Sequence, residues 1–317
     1  MSTSGSIDFS VSRDDIIEEA LMTIGVLPEG GAPTADQLTD HSRTLNIMVK
    51  AMVGRGINLW AVDKVTLFLE EDKVAYTTGT DHIALTSGVT RTALAAAAAS
   101  SATTISVDSA TGISTGYAIG VELDDGTVQW TTVNGAPSGT TVTLTTALTG
   151  AAAVDNIVYV YIAKVNALRI KSILDVTRKT KDLQEIPIEI IARTDYHNLP
   201  IKTTTGKVNQ IQFQPNLASS IISVYNEPDD ETETLEMLCK RTLEDFDAAG
   251  DTPDFPQEWY EALYLGLAYR LSRKYRLSLA ERNTLRDEAG FALIEAEGWD
   301  REQGTSIFVR PNYRNYY

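Results

Sequence analysis

Apolar residues recur at helical spacing near both ends of the chain and alternate with polar ones between. Ile16, Ile17, Ala20, Leu21 and Ile24 share one side of a first helix; Ser12 is placed to cap it, with Asp14 and Asp15 at its positive end. After the breaker "LPEGGAP", Thr34 and Gln37 form a T-x-x-Q capping box. Leu38, Leu45, Met48, Val49 and Met52 then lie on one side of a second helix, which stops at "GRG", 54–56. The pair predicts an antiparallel helical hairpin.

From "NLWAVDKVTLFLEEDKVAYTTG" the period becomes alternating, which predicts strands with a turn at "EEDK". Residues 89–163 are rich in Thr, Val, Gly and Ala and poor in Lys and Arg. The pattern predicts five or six short strands there, with "DDG" at 124–126 turning "IGVEL" into "TVQWTT". This stretch reads as a small β-sandwich or barrel inserted between two strands of a parent fold, and "ALAAAAASSA" marks where it starts. Alternation resumes in "ALRIKSILDVTRKTKDLQEIPIEII"; "RTDYHNLP" predicts a short helix, and "VNQIQFQP" with "ASSIISVYNEP" a hairpin. For "ETLEMLCKRTLEDF" strand is preferred to helix.

Two helices close the pattern. Pro256 suits a first helical turn, and Trp259, Leu263, Leu267, Arg270 and Leu271 run down one face. Ser278 and Glu281 form an S-x-x-E box before a stripe of Leu285, Ala289, Ala292, Leu293 and Ala296. The fold class expected is α+β. It combines an α-helical bundle (N-terminal hairpin plus two C-terminal helices) with antiparallel β-sheet and an inserted small all-β domain. The division expected is 1–88 with 164–298 as the core, 89–163 as the insertion, and 299–317 as an extended docking tail.

Composition changes this picture mainly through charge. The 317 residues carry a net charge of −16, which argues against gripping nucleic acid or anionic lipid. Between Glu227 and Glu261 there are thirteen Asp and Glu against Lys240 and Arg241. Such a run is ordinarily a solvated face. Repeated around the axis of a symmetric ring, it becomes a channel that DNA slides through without sticking. Asp229, Asp230, Glu231, Glu233 and Glu236 are the candidate channel-lining residues. "MSTSGSIDFS" has neither a basic nor an apolar region of a secretory leader, and a reducing, cytosol-like compartment is expected. No segment is long and apolar enough to predict a membrane span.

Candidate chemistry is sparse. The single cysteine, Cys239, reads as a half-buried small hydrophobe. His41, His82 and His197 lack a second His or Cys at ligand spacing, so no metal is expected; His41 reads as a partly exposed imidazole in mid-helix and His197 as a turn residue. There is no G-x-S-x-G elbow and no phosphate-binding loop. The adjacent carboxylates Asp14–Asp15, Glu70–Glu71, Asp124–Asp125 and Asp229–Asp230 read as solvated turn residues rather than an acid–base pair. Neither enzyme activity nor a cofactor is expected.

Three stretches carry a resemblance: "TDYHNLPIKTTTGKVNQIQFQPN", "SVYNEPDDETETLEMLCKRTLEDFDAAGDTPDFPQEWYEALYLGLAYRLSRKY" and "LRDEAGFALIEAEGWDREQGTSIFVRPN". In this order they resemble tailed-phage head-to-tail adaptors, the tail accessory or packaged-DNA-stabilisation family and its tail tubular relatives. The resemblance covers about 1–88 and 164–317 and is most specific at 254–275. It implies a virion protein assembled in the host cytoplasm into a ring of about twelve copies below the portal protein. That ring would retain packaged DNA, seat a downstream tail or nozzle protein, and let DNA pass without sequence-specific binding. Tyr260, Tyr264 and Arg273 are then the candidate subunit contacts, since Tyr and Arg are enriched at interfaces. In the tail, Ile307, Phe308, Arg310, Tyr313 and Arg314 are the candidates for docking on a neighbour or the portal. Two alternatives stand beside this reading: a tail-tube or nozzle subunit, and a host-surface or carbohydrate binder acting through 89–163 with Trp130 as its platform.

Overall fold

A computed structural model describes residues 5, 8–53, 59–162, 170–217 and 219–300. Among the described residues the fold is α+β, with five α-helices and several mostly antiparallel sheets. It divides into two compact units: residues 1–60 with 243–317, and residues 61–242.

The first unit is helical: α1 (Arg13–Thr23), α2 (Ala35–Val53), α4 (Tyr260–Ser272) and α5 (Leu279–Trp299). Local sequence sets three of the four starts. Ser12 Oγ accepts from Asp15 N and the Asp15 carboxylate accepts from Ser12 N; Thr34 with Gln37 and Ser278 with Glu281 make the same reciprocal pairs. Helix α4 touches α1, α2 and α5. Leu263, Leu267 and Leu271 are fully buried and Trp259 nearly so, whereas Arg270, expected on this face, is exposed. Trp259 packs edge-on against Trp60 at 4.9 Å, and Phe255 closes the aromatic group. The stripe on α5 follows the expected spacing, with Leu285, Ala292 and Ala296 buried.

Among the described residues the second unit holds every strand, numbered in chain order, and a short helix α3 (Arg193–Asn198). A five-stranded sheet runs β11 (Glu185–Pro187), β10 (Ile170–Lys179), β15 (Thr234–Arg241), β1 (Val62–Phe68), β3 (Ile83–Leu85). A four-stranded sheet runs β12 (Glu189–Ile191), β13 (Gln210–Pro215), β14 (Ser220–Tyr225), β2 (Ala75–Thr77). The two share one apolar cluster that includes Leu67, Tyr76, Ile211, Val224, Leu235 and Met237. Strand β15 is central and antiparallel to both β1 and β10, in keeping with the strand expected at "LEMLCKR". Two details depart from the simple reading. Strand β2 leaves β1 and pairs with β14, and β12 runs parallel to β13.

Residues 89–161 contribute six strands. A sheet of order β4 (Val89–Ala93), β9 (Ile157–Tyr161), β6 (Ala118–Glu122), β7 (Val128–Thr132) and a pair β5 (Thr104–Ser106), β8 (Thr141–Thr143) enclose an apolar cluster of their own. The first and last strands are neighbours, Val89 opposite Tyr161. At the β6–β7 turn, Gly126 has φ +89°, a conformation that favours glycine. The alanine-rich run is extended, because Leu94 bridges Val107, Ala98 bridges Ala152, and both side chains enter that cluster.

Candidate functional site

Strand β15 lies within the sequence stretch in which carboxylates crowd, and the run is divided between the two units: Glu227–Glu236 lie in the β unit, and the acids from Glu244 onward in the helical one. In the β unit most of them already have work. Lys207 Nζ lies 3.2 Å from Asp229, 3.0 Å from Asp230 and 3.2 Å from Glu233. Glu233 is only 6% exposed and also faces Arg178 at 3.5 Å. Glu236 pairs with Lys179 at 2.7 Å. Glu231 accepts from the backbone N–H groups of Glu71 and Val128, and Tyr159 Oη donates to Thr232 O at 2.7 Å. The segment thus ties β7 and β9 to the loop before β15.

Of the expected channel-lining residues, Glu233 is withdrawn from the surface with its charge compensated, and Glu236 is largely buried beside its lysine. The sequence window showed only Lys240 and Arg241 as counter-charges; the cations that matter come from β10 and from Lys207, distant in sequence. Burial pulls the Asp230 carboxyl upward, but hydrogen bonds from Thr232 and Lys207 outweigh it and hold the group below its usual range. Burial pulls the Lys207 ammonium down, but its hydrogen bonds to Asp230, Asp229 and Glu233 outweigh that and raise it.

What remains negative is local. A cavity of about 340 Å³ is lined by Glu71, Glu122, Asp125, Asp229, Asp230 and Glu231, with Lys181 as its cation. Glu122 is buried and is held by Lys181 and by Ile157 N. Among the described residues no group of three or more His, Cys, Asp or Glu is placed to hold a metal ion. The other adjacent carboxylate pairs also have structural partners: Asp15 caps α1, Asp14 pairs with Arg13, Glu70 with Lys73, and Asp124 accepts from Ala153 N.

Two of the histidines, His41 and His82, and the thiol serve packing. His41 is buried, contrary to the partly exposed reading; its Nε2 lies 2.8 Å from Tyr275 Oη. Burial, reinforced by Lys274 and opposed by Asp40, lowers its basicity. Its place at i, i+4, i+7 and i+8 with Leu45, Met48 and Val49 was the available signal. His197 lies in the last turn of α3. Cys239 is buried, which pushes its thiol up to about 12, a value unsuited to nucleophilic work at neutral pH.

Trp130 does not offer an open platform. His82 stacks on it at 4.1 Å with an interplanar angle of 15°, and its six-membered ring sits over Gly120, where a Cβ would approach within 2.9 Å. Phe68 and Tyr161 pack edge-on to it. In the helical unit Tyr260 and Tyr264 are half-buried and Arg273 is exposed; Tyr260 neighbours Phe9. Ile307, Phe308, Arg310, Tyr313 and Arg314 lie outside the described residues. Compared with models of protein families and with curated proteins, the chain matches none.

Proposed function

We propose that this chain is a virion structural protein, a head-to-tail adaptor that works by contact and transforms no substrate. About twelve copies form a ring below the portal, retain packaged DNA, join head to tail and enclose part of the ejection conduit. In this reading α1, α2, α4 and α5 are the helical bundle of the adaptor core, and residues 89–163 are an all-β domain inserted into it. Asp229, Asp125 and Glu71 are the carboxylates suited to face a lumen. Tyr260, Tyr264 and Arg273 contact neighbouring copies, and the segment after Trp299 docks on a neighbour or the portal.

The order of the resembling segments supports this reading. The observation that carries it is helix α5, where Leu279, Phe291, Ile294 and Trp299 are 64–80% exposed on a chain of net charge −16. Large apolar side chains gathered on one exposed helix mark a surface that another protein covers. The test is electron microscopy of the purified protein with and without portal protein. Rings with a central opening are expected in at least one of the two preparations; monomers in both would refute the proposal.

A further inference from the structure

Helices α2, α4 and α5 surround a groove of about 460 Å³. Met48 and Met52 of α2, Ala262 and Gly266 of α4 and Leu293 of α5 line it. Small residues keep it open: a Cβ on Gly290 would meet nothing within 4 Å, whereas one on Gly266 would stand 3.0 Å from Met48 Sδ. Arg270 and Arg286 flank the groove. Arg270 is exposed and has no ion-pair partner among the described residues, and Arg286 has only its exposed neighbour Asp287.

A different feature sits on the other side of α2. Asn46 pairs through its amide with both backbone groups of Phe246, at 3.1 and 2.9 Å. Lys50 Nζ donates to Leu243 O at 2.6 Å and pairs with Asp245. The Asp251 carboxylate accepts from Asp247 N and Ala248 N, fixing a turn whose exposed tip is Ala248–Ala249–Gly250. Glu244 and Asp247 beside it are exposed. Asn46 and Met48, like Lys50 and Met52, are two positions apart, about 200° around an α-helix. The acidic knob and the arginine-flanked groove therefore occupy opposite faces of α2.

Two different, complementary patches on opposite faces of one unit fit a head-to-tail contact between identical chains, which closes into a ring when the rotation allows. We propose that the Ala248–Gly250 knob of one copy enters the α2–α4–α5 groove of the next, with Glu244 and Asp247 meeting Arg270 and Arg286. The contact rests on the ring reading and gives it a specific interface. It also gives the chain's surface arginines opposite charges to meet, in a protein whose net charge otherwise repels its own copies.

The test measures self-association of the full chain by sedimentation, in whichever condition assembles the wild type, alone or with portal protein. Gly290→Trp fills the groove and Gly290→Ala is its control. Arg270→Glu with Arg286→Glu reverses the flanking charge, and Glu244→Arg with Asp247→Arg reverses the knob. Each reversal alone is expected to weaken association roughly 10-fold or more, and all four substitutions together to restore it. Should Gly290→Trp fail to fold, judged by circular dichroism, the charge swap decides alone. A wild type that assembles while the variants assemble equally well overturns this contact and leaves the ring standing. A wild type that never assembles overturns both. Loss on charge reversal without rescue, together with loss on deleting 301–317, would assign the groove to the C-terminal segment and overturn the proposal.

Discussion

In residues 61–242, Lys207, Arg178, Lys179 and Lys181 each hold carboxylates remote in sequence, and two of those carboxylates, Glu122 and Glu233, are buried. Among the described residues of 1–60 with 243–317, the ion pairs include sequence neighbours (Arg13–Asp14, Arg286–Asp287) and an exposed pair (Lys50–Asp245). There the interior is built from apolar side chains, Ile17, Leu45, Met48, Trp259 and Leu263 among them. The β unit therefore depends on internal charge for its strand connections. The helical unit depends on close packing and leaves Arg270 and several apolar side chains of α5 on its surface, while the β unit also exposes large apolar side chains, Ile201 and Leu217 among them.

Four measurements break or sharpen that contrast. Leu263→Ala removes a fully buried α4 side chain and is expected to destabilise the helical unit by about 4 kcal/mol in urea unfolding, with strand amides in the β unit keeping their exchange protection. Equal loss in both units would remove the contrast. Glu233→Ala leaves Arg178 with an uncompensated, largely buried charge and is expected to cost the β unit about 3 kcal/mol, at the low end for a buried pair because Lys207 reaches solvent. Gly120→Ala drives a Cβ into Trp130 and Val128, and about 2 kcal/mol of strain should appear as a lowered Tm with the helical unit unaffected.

The smallest expected effect is the pH profile. His41 has its basicity lowered by burial, so the unfolded chain takes up the proton first. The helical unit has its full stability above about 6.5 and loses part of it as pH falls from there toward the lower folded value. Asp230 is held below the ordinary aspartate value of 3.8, so its contribution persists above about 3.8 and disappears only as pH falls further. At pH 5, amide protection factors should thus fall in α2 and α4 of the wild type but not in β15, and His41→Gln should flatten the difference.

Local chemistry was readable from the chain: three capping boxes and the Asp124–Gly126 turn need only neighbours, and each stands where its residues sit. What depends on distant partners was not. The alanine run lacks a helix because Val107 and Ala152 claim its backbone. The acidic run looked bare because its cations, Arg178, Lys179 and Lys207, lie many residues away. Of the candidate interface, Tyr260, Tyr264 and Arg273 could be placed. The groove was hidden because it is made by residues that are absent in bulk, Gly266 and Gly290, and its sequence trace is only a stripe of small side chains.

Native mass spectrometry of the purified protein, alone and after addition of portal protein, tests the central claim most directly. Many identical copies closing around an axis predict a discrete species near twelve times the 34.6 kDa chain mass, with no continuous ladder above it. A single-chain mass in both samples would contradict the account.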